Sequence, residues 1–385
     1  MRILYDFILF CVYSSTGYYV AACLAGLWFA CEAASPSPPL PATPPGVLLL
    51  RPLHGYSEHM LQNARSLLRI DYPDRTIVFG ATSEQDGSAQ IVRTVTQEHP
   101  SSYVIGTIGQ ARAGNPKVGK LIWMLRHAPE AEVIVMSDAD GRLAPGHIRR
   151  VVGELYQDEN IGAVTCVYSG VAAEPRIGAR LEALSINTDF TPIAILSKYI
   201  EPTRHAFAAC IAIKKHVLDA IGGLESVRDS FGDDMLLGHK VATAGYRVRI
   251  SSAVVTTVTE EKTIADFWRH QLRGWRVDRR IRPISLGRIL ISGPFWALIL
   301  LLTSGFSASA VELAALVLGA RLVMSAIMIQ RVLHLPLELK QLILIPFKDL
   351  LLAGIWGASL FGNDVEWAGQ QLRLATNGEM REIHK

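Results

Sequence analysis

The hexapeptide Met136-Ser137-Asp138-Ala139-Asp140-Gly141 places two carboxylates one residue apart, directly after the apolar run Val133-Ile134-Val135-Met136. That run reads as a buried strand, and in an open α/β sheet ligands bind beyond the carboxyl ends of strands. Asp138 and Asp140 can there hold a hard divalent cation, which bridges diphosphate oxygens and neutralises charge as a leaving group departs. A solvated loop would carry the same pair, so it is the strand before them that favours the cation. Further along, Phe231-Gly232-Asp233-Asp234-Met235 opens a helical pattern, LLGHKVATAG, followed by the strand-like YRVRIS. An acidic pair at a helix start complements the helix dipole. It can equally supply a general base that takes the proton from an attacking hydroxyl.

A third segment, TIADFWRHQLRGWRVDRRIRP from Thr263 to Pro283, carries a capping-box pattern in Thr263 and Asp266 and a stop in Pro283. Arg269, Arg273, Arg276 and Arg280 share one helical face, while Trp268, Leu272 and Trp275 share another, the pattern of an interfacial helix. Surface anchoring alone would explain it. A second reading gives Arg273 and Trp275 contact with a bound diphosphate and its acceptor, and one helix can do both. Weaker candidates lie nearer the start: Arg51 in RPLHG after the first strand, Asp86 in the turn SEQDGS, and Lys117 in NPKVGK, where an ammonium can pair with a phosphate or simply be solvated.

These residues need a scaffold, and 47 to about 285 supplies one. Short β-branched runs (VLLL at 47 to 50, TIVFGAT, EVIVMS at 132 to 137) alternate with helical patterns, which predicts an α/β domain with a mostly parallel sheet. Before it, residues 1–34 read as a transmembrane anchor, with a cleaved signal peptide as the rival, and 35–46, SPSPPLPATPPG, as an extended linker. After it, apolar stretches at 289 to 306, 310 to 330 and 341 to 361 predict about three C-terminal membrane helices within 286–361, followed by a tail, 362–385. Lys348 and Asp349 interrupt the last stretch, which then lies at the interface or lines a cavity. The apolar segment 183 to 200 fits either a membrane dip or a buried core helix. Basic flanks at 276 to 282 and 331 to 340 place the domain on the cytoplasmic side.

The 38 basic and 35 acidic residues leave a net charge of +3, so no global field draws the chain to nucleic acid. Cys166 and Cys210 stand apart from each other and from the three N-terminal cysteines, with no metal or disulfide spacing, as suits a reducing compartment.

Taken in order, RPLHG at 51 to 55, Asp86, NPKVGKLIWML at 115 to 125, SDADGRL at 137 to 143, IAIKKHVLDAIGGLES at 211 to 226, GDDMLLG at 232 to 238 and HQLRGWR at 270 to 276 resemble the ceramide glucosyltransferase family (family 2/21 glycosyltransferases). The likeness covers nearly the whole chain and is closer still to bacterial relatives associated with hopanoid biosynthesis. It implies a GT-A fold at the bacterial inner membrane and inverting transfer of a glucose-like or N-acetylglucosamine sugar from a UDP-sugar to a lipid hydroxyl, of ceramide or a hopanoid, assisted by Mg or Mn. By position, Asp86 would meet the uridine, Lys117 and Arg51 the nucleotide or diphosphate, and Asp138 and Asp140 the donor and its metal. Asp234 would be the base with Asp233 beside it, and the helix bearing His270, Gln271, Arg273, Trp275 and Arg276 would close over donor and acceptor. Two departures stand out: Gly274 separates Arg273 from Trp275, and Asp233 replaces the usual Glu. The competing expectations are a processive polysaccharide synthase, a polyprenyl-phosphate glycosyltransferase and a membrane scaffold without chemistry.

Overall fold

The computed structural model describes residues 2–99, 103–367, 370–374 and 380–382. The chain forms two compact units: a sheet unit of residues 33–169 and 197–258, and a helical unit of residues 1–32, 170–196 and 259–385.

In the sheet unit β1 (Val47–Pro52) is buried along its whole length, which its uninterrupted apolar run requires of a central strand covered on both faces. It pairs in parallel with β2 (Arg75–Ala81) on one side and β4 (Val133–Met136) on the other, and β3 (Val104–Ile108) lies parallel beyond β2. The parallel α/β sheet read from the sequence is therefore present. Antiparallel strands extend it past β4: β7 (Ile211–Lys214), β6 (Ile161–Ala172), β8 (Arg247–Thr259) and the two-residue β5 (Gly141–Arg142), in the order β3-β2-β1-β4-β7-β6-β8-β5. Alternate residues of β1 enter opposite layers. Val47 and Leu49 pack with α2 (Glu58–Leu67), α3 (Ser88–Glu98) and α5 (His147–Leu155), whereas Leu48 and Leu50 pack with α4 (Pro116–His127), α8 (Lys215–Ala220) and α9 (Asp233–Thr243). Each such side chain contributes about 1.5–3 kcal/mol relative to exposure. Because the chain leaves β1 towards β2 and β3 and later returns to its other side as β4, a crevice opens at the carboxyl ends of β1 and β4.

The helical unit contains α1 (Arg2–Ala34), α6 (Ile177–Ser185) and a π-helical turn, Ile186–Phe190, that leads into α7 (Thr191–Ile200). It continues with α10 (Ile264–Ile281), a 3₁₀ segment with α11 (Gly293–Thr303), α12 (Ala308–Ile327) with a second π turn, and α13 (Leu339–Ser359). A three-stranded antiparallel sheet, β9 (Asp364–Trp367), β10 (Gln370–Leu374) and β11 (Met380–Glu382), comes after α13. Among the described residues, Arg2–Ala34, Ala308–Val332 and Leu339–Ser359 are long and apolar enough to cross a membrane. A fourth span results if Pro283–Ile291 and Gly293–Thr303, bent by 56°, count as one.

The charges inside α12 and α13 pair with one another, and Arg321 and Asp349 line a cavity together with Tyr18, Tyr19, Asp189 and Trp275. Arg321, 2% exposed, donates to Asp349 at 2.7 and 2.8 Å, to Asp189 at 2.6 Å and to the Thr188 carbonyl at 2.6 Å. Lys348 donates to Asp349 at 2.7 Å and also pairs with Asp189. Two cations thus meet two carboxylates, one of them Asp189 of the segment 183 to 200, its side chain 35% exposed.

Candidate active site

The acidic loop leaves the end of β4 and is held from beneath. Ser137 donates its N–H to the Leu50 carbonyl at 3.1 Å and its hydroxyl to the Ala209 carbonyl at 2.8 Å. The Gly141 N–H closes the turn on the Asp138 carbonyl at 3.1 Å. Arg51 clamps both ends, donating to the Gly141 carbonyl at 2.7 Å and the Ser137 hydroxyl at 3.0 Å. Arg51 is 0% exposed, because β1 continues to Pro52 and makes it a sheet residue rather than part of the turn. Expected at the donor, Arg51 is seen to hold the acidic loop from below. Burial lowers its pKa to about 10, against the opposing pull of Asp140 and Asp138.

Lys117 reaches the same place from the start of α4. Asn115 caps that helix, accepting from the Lys117 and Val118 N–H groups at 2.9 and 3.3 Å, and Pro116 fills the first helical position. Its amide nitrogen donates to the Ser230 carbonyl at 2.8 Å, and its own N–H to the Arg228 carbonyl at 2.9 Å, which ties α4 to the segment before α9. The Lys117 ammonium then lies 2.8 Å from Asp138 and 3.4 Å from Asp233. Asp233 thus belongs with the loop carboxylates.

Asp234 stands next, in the first turn of α9. Its carboxylate accepts from the Ala208 N–H at 2.9 Å and the Met235 N–H at 2.8 Å. Gly238 permits this approach, since a Cβ there would sit 2.4 Å from the Ala206 nitrogen and 2.5 Å from the His205 carbonyl carbon. The helix packs backbone to backbone against the segment that holds Asp234.

The electrostatics are unbalanced. Among the described residues, Asp138, Asp140, Asp233 and Asp234 face Lys117 and the buried Arg51, so four carboxylates meet two cations. Crowding by the protein around its carboxyl and the neighbouring Asp138 push the pKa of Asp140 upward, tempered by the solvent that reaches its side chain. Burial and the neighbouring Asp233 raise Asp234 to about 7, and Asp233 is shifted the same way. Lys117 remains protonated: burial opposes its charge, but Asp138, Asp233 and Asp234 outweigh it. The excess negative charge and the hard oxygen donors fit a divalent cation such as Mg²⁺ or Mn²⁺ held by Asp138 and Asp140.

Asp86 stands at the end of β2. It accepts from the Gly55 and Ser88 N–H groups at 2.8 and 3.0 Å and lies 3.1 Å from His54 Nδ1. Burial would raise its pKa, but those hydrogen bonds bring it down to about 2. Lys120, to which the sequence pattern gave no role, donates to the Leu53 carbonyl at 2.7 Å and feels Asp86; burial brings it to about 8.

The remaining candidates gather on α10 of the helical unit. The capping box of Thr263 and Asp266 is present. Trp268, Leu272 and Trp275 pack with Leu181, Phe267 and Ile355. Gln271 donates to both oxygens of Glu182 at 3.0 Å, and His270 lies 2.8 Å from Glu261. Arg273 is half-buried and feels Glu182 and Glu261, and the Arg288 guanidinium lies 4.2 Å from the Trp275 ring centre. Arg276, expected on the acceptor side, donates to the Asp364 and Phe361 carbonyls at 2.6 and 3.1 Å, beyond the end of α13. Asn115, Ser137 and the Ala208 amide also shape the site without having stood out in the sequence. Asn115-Pro116 is visible there as a cap followed by a proline at the first helical position.

The fold resembles that of a mannosyltransferase from Pyrobaculum calidifontis solved with GDP-mannose and Mn²⁺, with a TM-score of 0.52, 20% identity, and coverage of 91% of this chain and 98% of that one. The sheet unit accordingly has the GT-A fold. Two ceramide glucosyltransferases of Caenorhabditis elegans, numbers 1 and 3, are 22% and 21% identical over 59% and 58% of this chain. The chain spans about half the length of these relatives, 48% of each. The profile of glycosyl transferase family 21 matches residues 8–380, and the chain belongs to that family.

Proposed function

We propose that this membrane protein transfers a hexose from a nucleoside diphosphate sugar, a UDP-sugar, to the hydroxyl of a membrane lipid such as ceramide, with inversion at the anomeric carbon. The observation that carries the reading is the convergence of Lys117, Asp138, Asp140, Asp233 and Asp234 at the crevice beside β1 and β4, in a chain of family 21. Asp234 takes the proton from the acceptor hydroxyl as its oxygen attacks the anomeric carbon and the bond to the diphosphate breaks. Its raised pKa suits a base working near neutrality. Lys117 steadies the charge on the departing diphosphate, and Asp86 with His54 and Gly55 forms the nucleoside end. Asp138 and Asp140 would hold a divalent cation, Mg²⁺ or the Mn²⁺ found in the mannosyltransferase, which would neutralise charge on the leaving group. The α10 residues Arg273 and Trp275 are assigned to the acceptor side, and the basic flanks to the cytoplasmic membrane face.

The test is direct. Full-length protein in lipid nanodiscs is given UDP-glucose, Mn²⁺ and ceramide, and the product is read by mass spectrometry with its anomeric configuration by NMR. One sugar per lipid, inverted, is expected, and Asp234→Asn should lower kcat about 10²–10⁴-fold while donor affinity persists. A ladder of sugar units, or full activity of Asp234→Asn, would overturn the assignment.

A further inference from the structure

Cys166 and Cys210, isolated in the sequence, meet in the fold. Cys166 is on β6 and Cys210 directly precedes β7, and the Cys166 N–H donates to the Cys210 carbonyl at 3.1 Å across the antiparallel pair. His147 opens α5 above them, its Nε2 3.4 Å from the Cys166 sulfur. The two sulfurs and an imidazole nitrogen all lie within 4.8 Å of one another, and the three residues are 0%, 0% and 4% exposed. Two thiols and an imidazole with no access to solvent are an unusual core filling, and nothing in the transfer reaction uses them.

We propose that His147, Cys166 and Cys210 bind one soft divalent metal ion of the Zn²⁺ class, a site distinct from the acidic loop. Tetrahedral zinc with bonds of about 2.3 Å to sulfur and 2.0–2.1 Å to nitrogen holds its ligand atoms about 3.5–3.8 Å apart; the His147–Cys166 pair stands at 3.4 Å and all three atoms lie within 4.8 Å of one another. The donors are soft, unlike the all-oxygen set on the loop, so the two sites select different metals. A second observation points the same way. Glu154 lies two turns after His147 on the same stripe of α5 and is 3% exposed; its Oε2 is buried without a hydrogen-bond partner, and its charge is felt at Cys166. That unpartnered oxygen belongs to a charge felt at Cys166 but lies outside the group of three mutually close ligand atoms. Metal binding releases both thiol protons to solvent.

The position gives the ion a purpose. Cys210 lies two residues after Ala208, whose N–H holds Asp234, and one after Ala209, whose carbonyl holds Ser137. A metal there fixes the segment that aligns the base with the acidic loop.

Elemental analysis of the purified full chain should find about one zinc per chain that survives dialysis against a weak chelator. Cobalt substitution should produce thiolate-to-cobalt charge-transfer bands and the d–d bands of a tetrahedral site. Cys210→Ser and Cys166→Ser should each lower bound zinc to less than about one tenth per chain. If those variants fail to fold, the wild-type zinc content and cobalt spectrum decide alone. Wild-type protein grown with zinc yet carrying less than about one tenth of an ion, or an intact mass showing the two thiols joined as a disulfide, overturns the proposal.

Discussion

Two charged clusters of this chain use the same residue types to opposite ends. In the helical unit Arg321 and Lys348 meet Asp189 and Asp349, cation for carboxylate, and Arg321, Lys348 and Asp349 are all buried. In the sheet unit Lys117 and Arg51 face Asp138, Asp140, Asp233 and Asp234, and Asp138 remains 31% exposed. The balanced cluster is complete and holds helices together. The unbalanced one holds Asp140, Asp233 and Asp234 at raised pKa and has room for a positive ligand. Charge stoichiometry, more than the presence of buried charge, separates scaffold from site.

The comparison breaks most sharply at Arg321. Arg321→Met leaves Asp349 short of a partner and should cost about 3–5 kcal/mol, read as loss of folded protein in thermal unfolding. Arg321→Met with Asp349→Leu should recover most of that, since Lys348 and Asp189 still pair; no recovery would mean the cluster is more than scaffold. At the acidic site stability should change little and the pH profile should move. Asp234 must be ionised to act and its pKa lies at about 7, so kcat/KM should rise with pH and level off above about 7, falling about tenfold per unit below it. Removing the neighbouring charge in Asp233→Asn should shift that limb to lower pH, and an unmoved limb would remove Asp234 from the assignment. The smallest effect is expected at Asn115→Ala: loss of the α4 cap costs about 1 kcal/mol and lowers Tm by a few degrees. It should also raise KM for the donor by loosening Lys117, and unchanged KM would show that Lys117 needs no such support.

The acidic loop and the α9 carboxylates were legible because strand ends and helix starts are written in local pattern: VIVM before Asp138, and the helical LLGHKVATAG after Asp234. The apolar spans were legible for the same reason. The features that stayed hidden depend on pairing between distant segments. Arg51 reads as a turn residue until the register of β1 on β2 extends the strand through Pro52. Arg276 reads as one of a basic stripe until the chain folds back and offers it the carbonyls of Phe361 and Asp364. Cys166 and Cys210 share no local signal, and only the β6–β7 register makes them neighbours.

The widened turn at Ile186–Phe190 makes chain length itself a determinant of assembly. A π turn holds one residue more than the α-helix around it. Shortening 186–190 by one residue would close the turn to ordinary α geometry and rotate the downstream residues about the helix axis by about 100°. Asp189 would swing away from Arg321 and Lys348, although every amino acid that makes those pairs is still encoded. Single-residue deletions here should therefore be far less tolerated than conservative substitutions, which a deletion scan scored by surviving folded protein would read; equal tolerance would show that the insertion is incidental.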